Sequence, residues 1–187
     1  MKIGFHNSIE EISKNEWNSL LNDINYPFLK HDFLQLLENT NCVGAKTGWI
    51  PLHITVSKDN SLLAAMPLYL KSHSQGEFVF DHSWANAFYQ HGLDYYPKLV
   101  SSIPHTPASG PRFLIKEGEN KKELFEMIKE GVKNIAAKNN ISSWHILFPM
   151  EEEVDFYDDS NLSIRKNAQF IWFNKNFESF EDYISSF

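Results

Sequence analysis

The densest group of side chains that could do chemistry lies in a 14-residue segment that begins at Lys71 and ends at Trp84. Between them the segment carries His73, Glu77 and Asp81. An extended backbone over residues 77–81 would place Glu77 and Asp81 on one face, because side chains alternate along a strand. A carboxylate can remove a proton from an attacking amine, and an ammonium group can hold an acidic group. The segment therefore predicts a pocket with Glu77 or Asp81 as general base, Lys71 and His73 as ligand contacts, and Trp84 as a wall.

Other candidate ligand contacts lie further along the chain. Tyr95 and Tyr96 would add aromatic walls, and Arg112 is an alternative to the lysine for an acidic group. The loop 104–111 contains three prolines, which stiffen a loop, and it presents His105 and Thr106. A structural alternative stays open for both regions. The polar side chains of the first segment could instead satisfy buried backbone groups, and the loop could be an ordered crossover between strands.

The sequence gives little support for a metal site or a cysteine nucleophile. His73, His82 and His91 are nine residues apart, which matches neither helical nor strand spacing, and no cysteine or aspartate pattern completes a ligand set. Cys42, the single cysteine, has no recognisable histidine partner. We therefore expect no metal centre and read Cys42 as a bystander.

Composition narrows the class of protein. The 187 residues carry 24 acidic and 17 basic side chains, a net charge of −7, so a broad nucleic-acid-binding face is not expected. A hydrophobic fraction of 42% is typical of a globular domain. One cysteine allows no internal disulfide, and neither a secretory signal nor a membrane-spanning stretch is recognisable. These features predict a cytoplasmic protein without a transmembrane segment.

Hydrophobic periodicity predicts the elements that must position these residues. Ser13 and Glu16 form a capping-box pattern before a helix, Pro67 should bulge or bend its strand, and Asp81 could cap a helix. Predicted strands cover 2–5, 52–57, 62–70, 77–80, 96–103, 112–116, 143–148 and 164–173, and predicted helices cover 14–22, 31–39, 120–138, 151–158 and a last stretch from 179. Strands grouped before a long helix favour an α/β fold, with a mixed, mostly antiparallel sheet flanked by helices.

Four stretches resemble a bacterial family of FemAB-like, GNAT-type N-acyltransferases, described as peptidoglycan biosynthesis/recognition proteins. The most specific is PLYLKSHSQGEFVFD at 67–81; the others fall within 27–53, 95–112 and 142–172. The resemblance implies a GNAT-like domain over 1–187 that is the N-terminal half of a longer protein. A second half, or a homodimer, would then complete the enzyme, and this chain alone would show no turnover.

The resemblance also implies the substrates. The acceptor would be an amine on a cell-wall precursor or a small molecule, and the donor would be acyl-CoA or aminoacyl-tRNA. The GNAT fold supplies an oxyanion donor at a splayed strand edge and holds the CoA pyrophosphate on a glycine-rich turn at a helix start. The only candidate turn here, 116–120, has one glycine and two glutamates and is a poor anion cradle. The alternatives are a non-catalytic recognition module and an inactive truncated half.

Overall fold

A computed structural model describes residues 1–22, 26–166 and 172–187 and arranges the strands in two four-stranded sheets. The first sheet has the order β1-β3-β4-β7 and the second has the order β2-β5-β6-β8. The strands are β1 (Lys2–His6), β2 (Trp49–Pro51), β3 (His53–Lys58), β4 (Ser61–Met66), β5 (Tyr69–Lys71), β6 (Lys98–Ser101), β7 (Leu114–Ile115) and β8 (Trp144–Ile146). Strands β6 and β8 pair in parallel, and the other described pairs are antiparallel. The predicted mixed, mostly antiparallel architecture is confirmed.

Pro67 explains why one run of apolar residues serves both sheets. It lies between β4, which pairs with β3 in the first sheet, and β5, which pairs with β2 in the second. Proline has no N–H for a strand ladder, so the chain bends there, as predicted. The hairpin before it turns at Asp59 and Asn60, whose φ angles of 49° and 61° match the twist that a two-residue hairpin needs.

The helices follow the predicted apolar stripes. They are α1 (Lys14–Ser19), α2 (His31–Asn39), α3 (His82–Gln90), α4 (Lys121–Lys138), α5 (Glu151–Asp159) and α6 (Phe180–Ile184). The Ser13 hydroxyl caps α1 by accepting the Glu16 N–H. The Glu16 carboxylate does not reach back to complete a capping box; it accepts the Leu62 N–H and ties α1 to β4. None of the helices in these ranges is long and apolar enough to cross a membrane.

Three apolar clusters pack on the sheets, and the first two take the neighbouring residues Ala64 and Ala65 of β4, so they lie on opposite faces of the first sheet. Helix α4 packs Leu124, Ile128 and Val132 against Ile54 and Leu99. On the other side, α1 and α2 form a second core, with members including Ile9, Trp17, Leu29, Leu34 and Leu114. The side that carries α1 and α2 is also the side on which the polar residues of the second sheet gather.

Two predicted strands are not found as expected. Residues 77–80 form no strand, because Phe78 adopts a left-handed conformation with φ 57° that interrupts an extended run. Asp81 occupies the position before α3, but its side chain makes no capping bond. Of the predicted strand 164–173, residues 167–171 lie outside the described residues and the flanking ones are not in strands.

Candidate functional site

Two lysines stand side by side on one face of the second sheet. Trp49 of β2 pairs with Lys71 of β5, and Lys71 pairs with Lys98 of β6, so the three form a row across the sheet. Residues directly opposite each other in a ladder share a face. Tyr69 and Val100 extend the same face in the next row. We call this face, defined by Trp49, Tyr69, Lys71, Lys98 and Val100, the floor.

Residues 72–94, which we call the cover segment, leave β5 and pass over the floor. Only Glu77, Asp81 and Ala85 are buried in this segment. Phe78 and Phe80, on either side of the turned backbone, are 57% and 80% exposed. The two carboxylates therefore point inward while the neighbouring aromatic rings point outward.

Lys98 lies at the centre of the contact between the floor and the cover segment. Its ammonium donates to Glu77 Oε2 at 2.8 Å, to Asp81 Oδ2 at 2.5 Å and to Ser74 Oγ at 2.9 Å. These three bonds use all three ammonium protons. The Lys98 side chain is 0% exposed, and the side chains of Glu77 and Asp81 are 1% and 2% exposed, so the cluster is a buried ion pair network.

The surroundings of Glu77 and Asp81 shift the pKa values of their carboxyl groups in opposite directions. Burial raises the pKa of Glu77, and the bond from Lys98 opposes that rise without cancelling it. Burial would also raise the pKa of Asp81, but hydrogen bonds from Lys98, Tyr95 and Ser74 outweigh it and leave the pKa below its ordinary value. A pair of carboxyls pushed apart in this way is a common acid–base arrangement. Glu77 is the better proton acceptor of the two, and Asp81 stays ionised.

Lys71 is the second buried cation on the floor. Its ammonium lies 3.8 Å from the centre of the Trp49 ring and donates to the Gln75 carbonyl at 3.1 Å. Burial lowers the pKa of Lys71 to about 8, with Glu77 opposing the shift and Lys98 adding to it. His73 is at the edge of the same group, where its Nδ1 accepts the Gln75 N–H.

The three residues predicted to be aromatic walls, Tyr95, Tyr96 and Trp84, do not lie together. Tyr95 is buried and donates to Asp81 Oδ2 at 2.8 Å, and the Tyr96 hydroxyl lies 2.8 Å from Ser74 Oγ. Both belong to the Lys98 cluster. Trp84 is 46% exposed, and the Arg165 guanidinium lies 5.1 Å from its ring centre. Trp84 is therefore on the outer surface of the cover segment, away from the floor.

His105 and Thr106, the loop residues predicted to contact ligand, differ in their distance from the floor. His105 packs on Trp49, with ring centres 5.7 Å apart, and a His105 ring nitrogen lies 3.2 Å from the Cys42 carbonyl. Thr106 donates to the Pro104 carbonyl within its own loop. Of the two, only His105 reaches the edge of the floor.

Arg112 is buried in the interior, away from the lysines. Its guanidinium donates to the carbonyls of Leu147, Ala108 and Pro111 at 2.8, 2.7 and 3.2 Å. Burial lowers its pKa. In this position Arg112 ties the loop to the end of β8 and is not available to a ligand on the floor.

Glu153, in the first turn of α5, is a buried carboxylate that binds backbone N–H groups. Its carboxylate accepts the backbone N–H groups of Arg112 and Phe113 at 3.2 and 3.5 Å and that of Met150 at 3.3 Å, while Tyr157 donates its hydroxyl proton. An internal carboxylate therefore occupies these N–H groups.

Sequence reasoning missed Lys98, Ser74 and His145. Lys98 lies inside a stretch correctly predicted to be a strand, and its charge was the only signal of a special environment. His145 pairs with Val100 across β6 and β8, and burial, with Lys98 nearby, lowers its pKa to about 4. Its ring lies 6.2 Å from that of Tyr95, so a neutral imidazole borders the cluster.

The turn considered for CoA pyrophosphate binding lies at the start of α4. The Asn120 side chain accepts the Glu123 N–H, so the helix start is already capped. Gly118 has φ +82°, but Glu117 and Glu119 flank it. Within residues 1–22, 26–166 and 172–187, no three His, Cys, Asp or Glu side chains are placed to hold a metal ion.

Comparison with known proteins identifies family and fold. The FemAB-like family, described as peptidoglycan biosynthesis/recognition, matches residues 8–187. No curated protein matches the sequence. The structure is similar to an aminoglycoside 6′-N-acetyltransferase from Acinetobacter haemolyticus, with 12% identity, TM-score 0.53 and coverage of 95% of this chain and 100% of that chain. It is also similar to a ribosomal-protein-alanine N-acetyltransferase from Brucella melitensis, with 12% identity, TM-score 0.54 and coverage of 92% and 98%.

At such low identity the structural likeness shows the fold, which is that of GNAT acetyltransferases. The predicted fold class is confirmed. The matched family is described by peptidoglycan biosynthesis and recognition, and its member here has the fold of the two N-acetyltransferases named above.

Proposed function

The chain belongs to the FemAB-like family, and we propose that it transfers an acyl group to an amine of a small-molecule or cell-wall-related acceptor. The floor is the acceptor side of the site in this proposal. It lies on the face of the sheets that also carries α1 and α2, opposite the apolar face covered by α4.

One observation carries the assignment of the base. Glu77 and Asp81 share Lys98, yet the pKa of Glu77 is raised and that of Asp81 is lowered. A general base works best when its pKa approaches the operating pH. Glu77 therefore takes the proton, while Asp81, whose pKa is lowered, stays ionised.

The proposed step balances as a simple acyl transfer. The amine nitrogen of the acceptor attacks the carbonyl carbon of the donor, and a C–N bond forms. The amine proton passes to the Glu77 carboxylate. The C–S bond of acyl-CoA, or the C–O bond of aminoacyl-tRNA, breaks, and the leaving thiolate or alkoxide takes up a proton. Both donors stay predictions. The start of α4, capped by Asn120, offers no glycine-rich phosphate cradle that would favour acyl-CoA.

The test combines the purified chain with acetyl-CoA or an aminoacyl-tRNA and a panel of diamino acids and amino sugars. Mass spectrometry detects the amide product and avoids thiol reagents, which would react with the exposed Cys42. Glu77→Gln should lower kcat about 10²–10⁴-fold, the usual contribution of a general base. Glu130→Gln, an exposed glutamate on α4, is the matched control and should leave kcat unchanged.

Turnover that survives Glu77→Gln unchanged would remove Glu77 from the mechanism. Transfer from neither donor to any amine would contradict an N-acyltransferase function of this chain acting alone. A second half or a homodimer would be needed only if the chain alone shows no turnover; these two completions, and a cytoplasmic location, remain predictions. Turnover by the 187-residue chain as a monomer would contradict the need for a further half.

A further inference from the structure

Unpartnered polar atoms gather where the cover segment meets the floor. Four buried side-chain atoms have no hydrogen-bond partner within the described ranges, and three of them are Trp49 Nε1, Glu77 Oε1 and Asp81 Oδ1. A Cβ added to Gly76 of the cover segment would lie 3.0 Å from Trp49 Nε1, so the indole N–H faces the backbone of that segment. Buried polar groups without partners are costly, and each one requires an explanation.

The floor also concentrates positive charge. Lys71 and Lys98 are directly opposite each other on β5 and β6, and both are 0% exposed. Like charges in such a pair destabilise a sheet unless an anion lies between them. Glu77 supplies that anion, since it is bonded to Lys98 and interacts favourably with Lys71, and Asp81 supplies a second carboxylate to Lys98.

The cover segment makes contacts of two kinds. Its uncharged contacts are Val79 packed on the floor, and the Gln75 and Phe80 carbonyls, which accept from Lys71 and Arg165. Besides the two carboxylates, only Ala85 is buried between residues 72 and 94. Residues 82–93, which include α3, contain no Asp, Glu, Lys or Arg. The two carboxylates therefore supply the charged attachment of the segment to the floor.

We propose that Lys71 and Lys98 form a binding site for an anionic group, a carboxylate or a phosphate, and that Glu77 and Asp81 occupy this site as internal stand-ins. The proposal rests on the proposed function, in which the anionic group belongs to the amine acceptor. When that group replaces the two carboxylates on the lysines, Trp49 Nε1 gains an acceptor and Glu77 is released to take the amine proton. The sequence predicted that Lys71 binds an acidic group of a ligand. The present proposal adds Lys98 and Trp49 to the site, and adds the replacement of the two internal carboxylates by the ligand.

Binding of two probes to the full chain tests the site. Glutarate represents a carboxylate ligand and inorganic phosphate represents a phosphate ligand. The indole ¹H–¹⁵N resonance of Trp49 is the readout, assigned with Trp49→Phe among the five tryptophans. We expect a saturable shift of this resonance with at least one probe. A shift with glutarate alone identifies a carboxylate ligand, a shift with phosphate alone identifies a phosphate ligand, and either supports the site.

Variants separate this site from nonspecific binding. Lys71→Met should weaken binding at least about tenfold, and Lys133→Met, at an exposed lysine of α4, should not change it. The double variant Glu77→Gln, Asp81→Asn should bind about tenfold more tightly or better, because the internal competitors are neutral and the competent state is more populated. This second variant keeps the test decisive if Lys71→Met does not fold.

No shift with either probe, in the natural chain and in the double variant, would overturn the proposal, as would unchanged affinity in a folded Lys71→Met. These outcomes are independent of turnover. Anion binding without acyl transfer would overturn only the proposed function, and acyl transfer without an anion requirement would overturn only the present inference.

Discussion

Replacing Lys98 by methionine removes one charge from a buried cluster and leaves two carboxylates behind. Lys98 Nζ lies 2.8 Å from Glu77 and 2.5 Å from Asp81, and all three side chains are at most 2% exposed. Breaking a buried pair by removing one partner costs about 3–5 kcal/mol, because the remaining charge has neither water nor a counter-ion. For a chain of this size we expect a fall in Tm of about 6–20 °C.

An exposed ion pair of the same length provides the control. Lys14 Nζ and Asp32 are 2.7 Å apart, but their side chains are 54% and 62% exposed. Exposed pairs contribute less than about 1 kcal/mol, since water screens them and two long side chains lose freedom. Lys14→Met should therefore change the unfolding free energy by less than about 1 kcal/mol.

Urea unfolding followed by circular dichroism measures both variants. The triple variant Lys98→Met, Glu77→Gln, Asp81→Asn removes the uncompensated charges and should recover most of the loss. A cost for Lys98→Met no larger than that for Lys14→Met would refute the description of a buried network. A triple variant as unstable as Lys98→Met would show that packing of the lysine, and not its charge, stabilises the cluster.

Four further predictions follow from individual residues. Asp81→Asn should lower the unfolding free energy at pH 7, because the folded pKa of Asp81 lies below its ordinary value of 3.8. The difference in unfolding free energy between the natural chain and the variant, measured at several pH values, should shrink as the pH falls below 3.8 and through the folded pKa. Lys71 should titrate near pH 8 in side-chain NMR, below the ordinary lysine value of 10.5, because burial lowers its pKa. Gly110→Ala should lower the unfolding free energy by about 1–3 kcal/mol, because a Cβ there would lie 2.2 Å from the Tyr26 ring, and Tyr26→Ala should relieve the penalty. Asn60→Gly should raise the unfolding free energy by about 1 kcal/mol, because residue 60 has φ 61°, a conformation that glycine adopts without strain. A fall in the unfolding free energy would contradict this turn geometry.

The elements with strong periodicity were predictable from sequence. The apolar stripe predicted α4, which begins one residue after the predicted start, and α2 matched its predicted bounds. Pro67 was predicted to bend its strand, and it separates β4 from β5. These features depend on neighbours in sequence, so local rules suffice.

The candidate site was only half predictable, because its centre depends on register. Glu77 and Asp81 were found from their spacing, although the strand assumed for them does not form. Lys98 lies 17 residues after Asp81 and meets it only because β5 and β6 pair with Lys71 opposite Lys98. No pattern within either strand fixes that register, so the lysine that binds both carboxylates was not identifiable.

Arg112 was predicted to bind an acidic group and Lys98 was not, but the partners of these two buried cations favour Lys98. Arg112 donates to three backbone carbonyls, which belong to the loop and to the chain after β8 and cannot leave without breaking that structure. Lys98 donates to side chains of a segment that buries almost nothing else. A ligand carboxylate can replace a side-chain carboxylate at little structural cost, whereas it cannot replace three carbonyls of the main chain. Lys98 is therefore the cation whose partners a ligand can replace, and β5 places Lys71 directly opposite it.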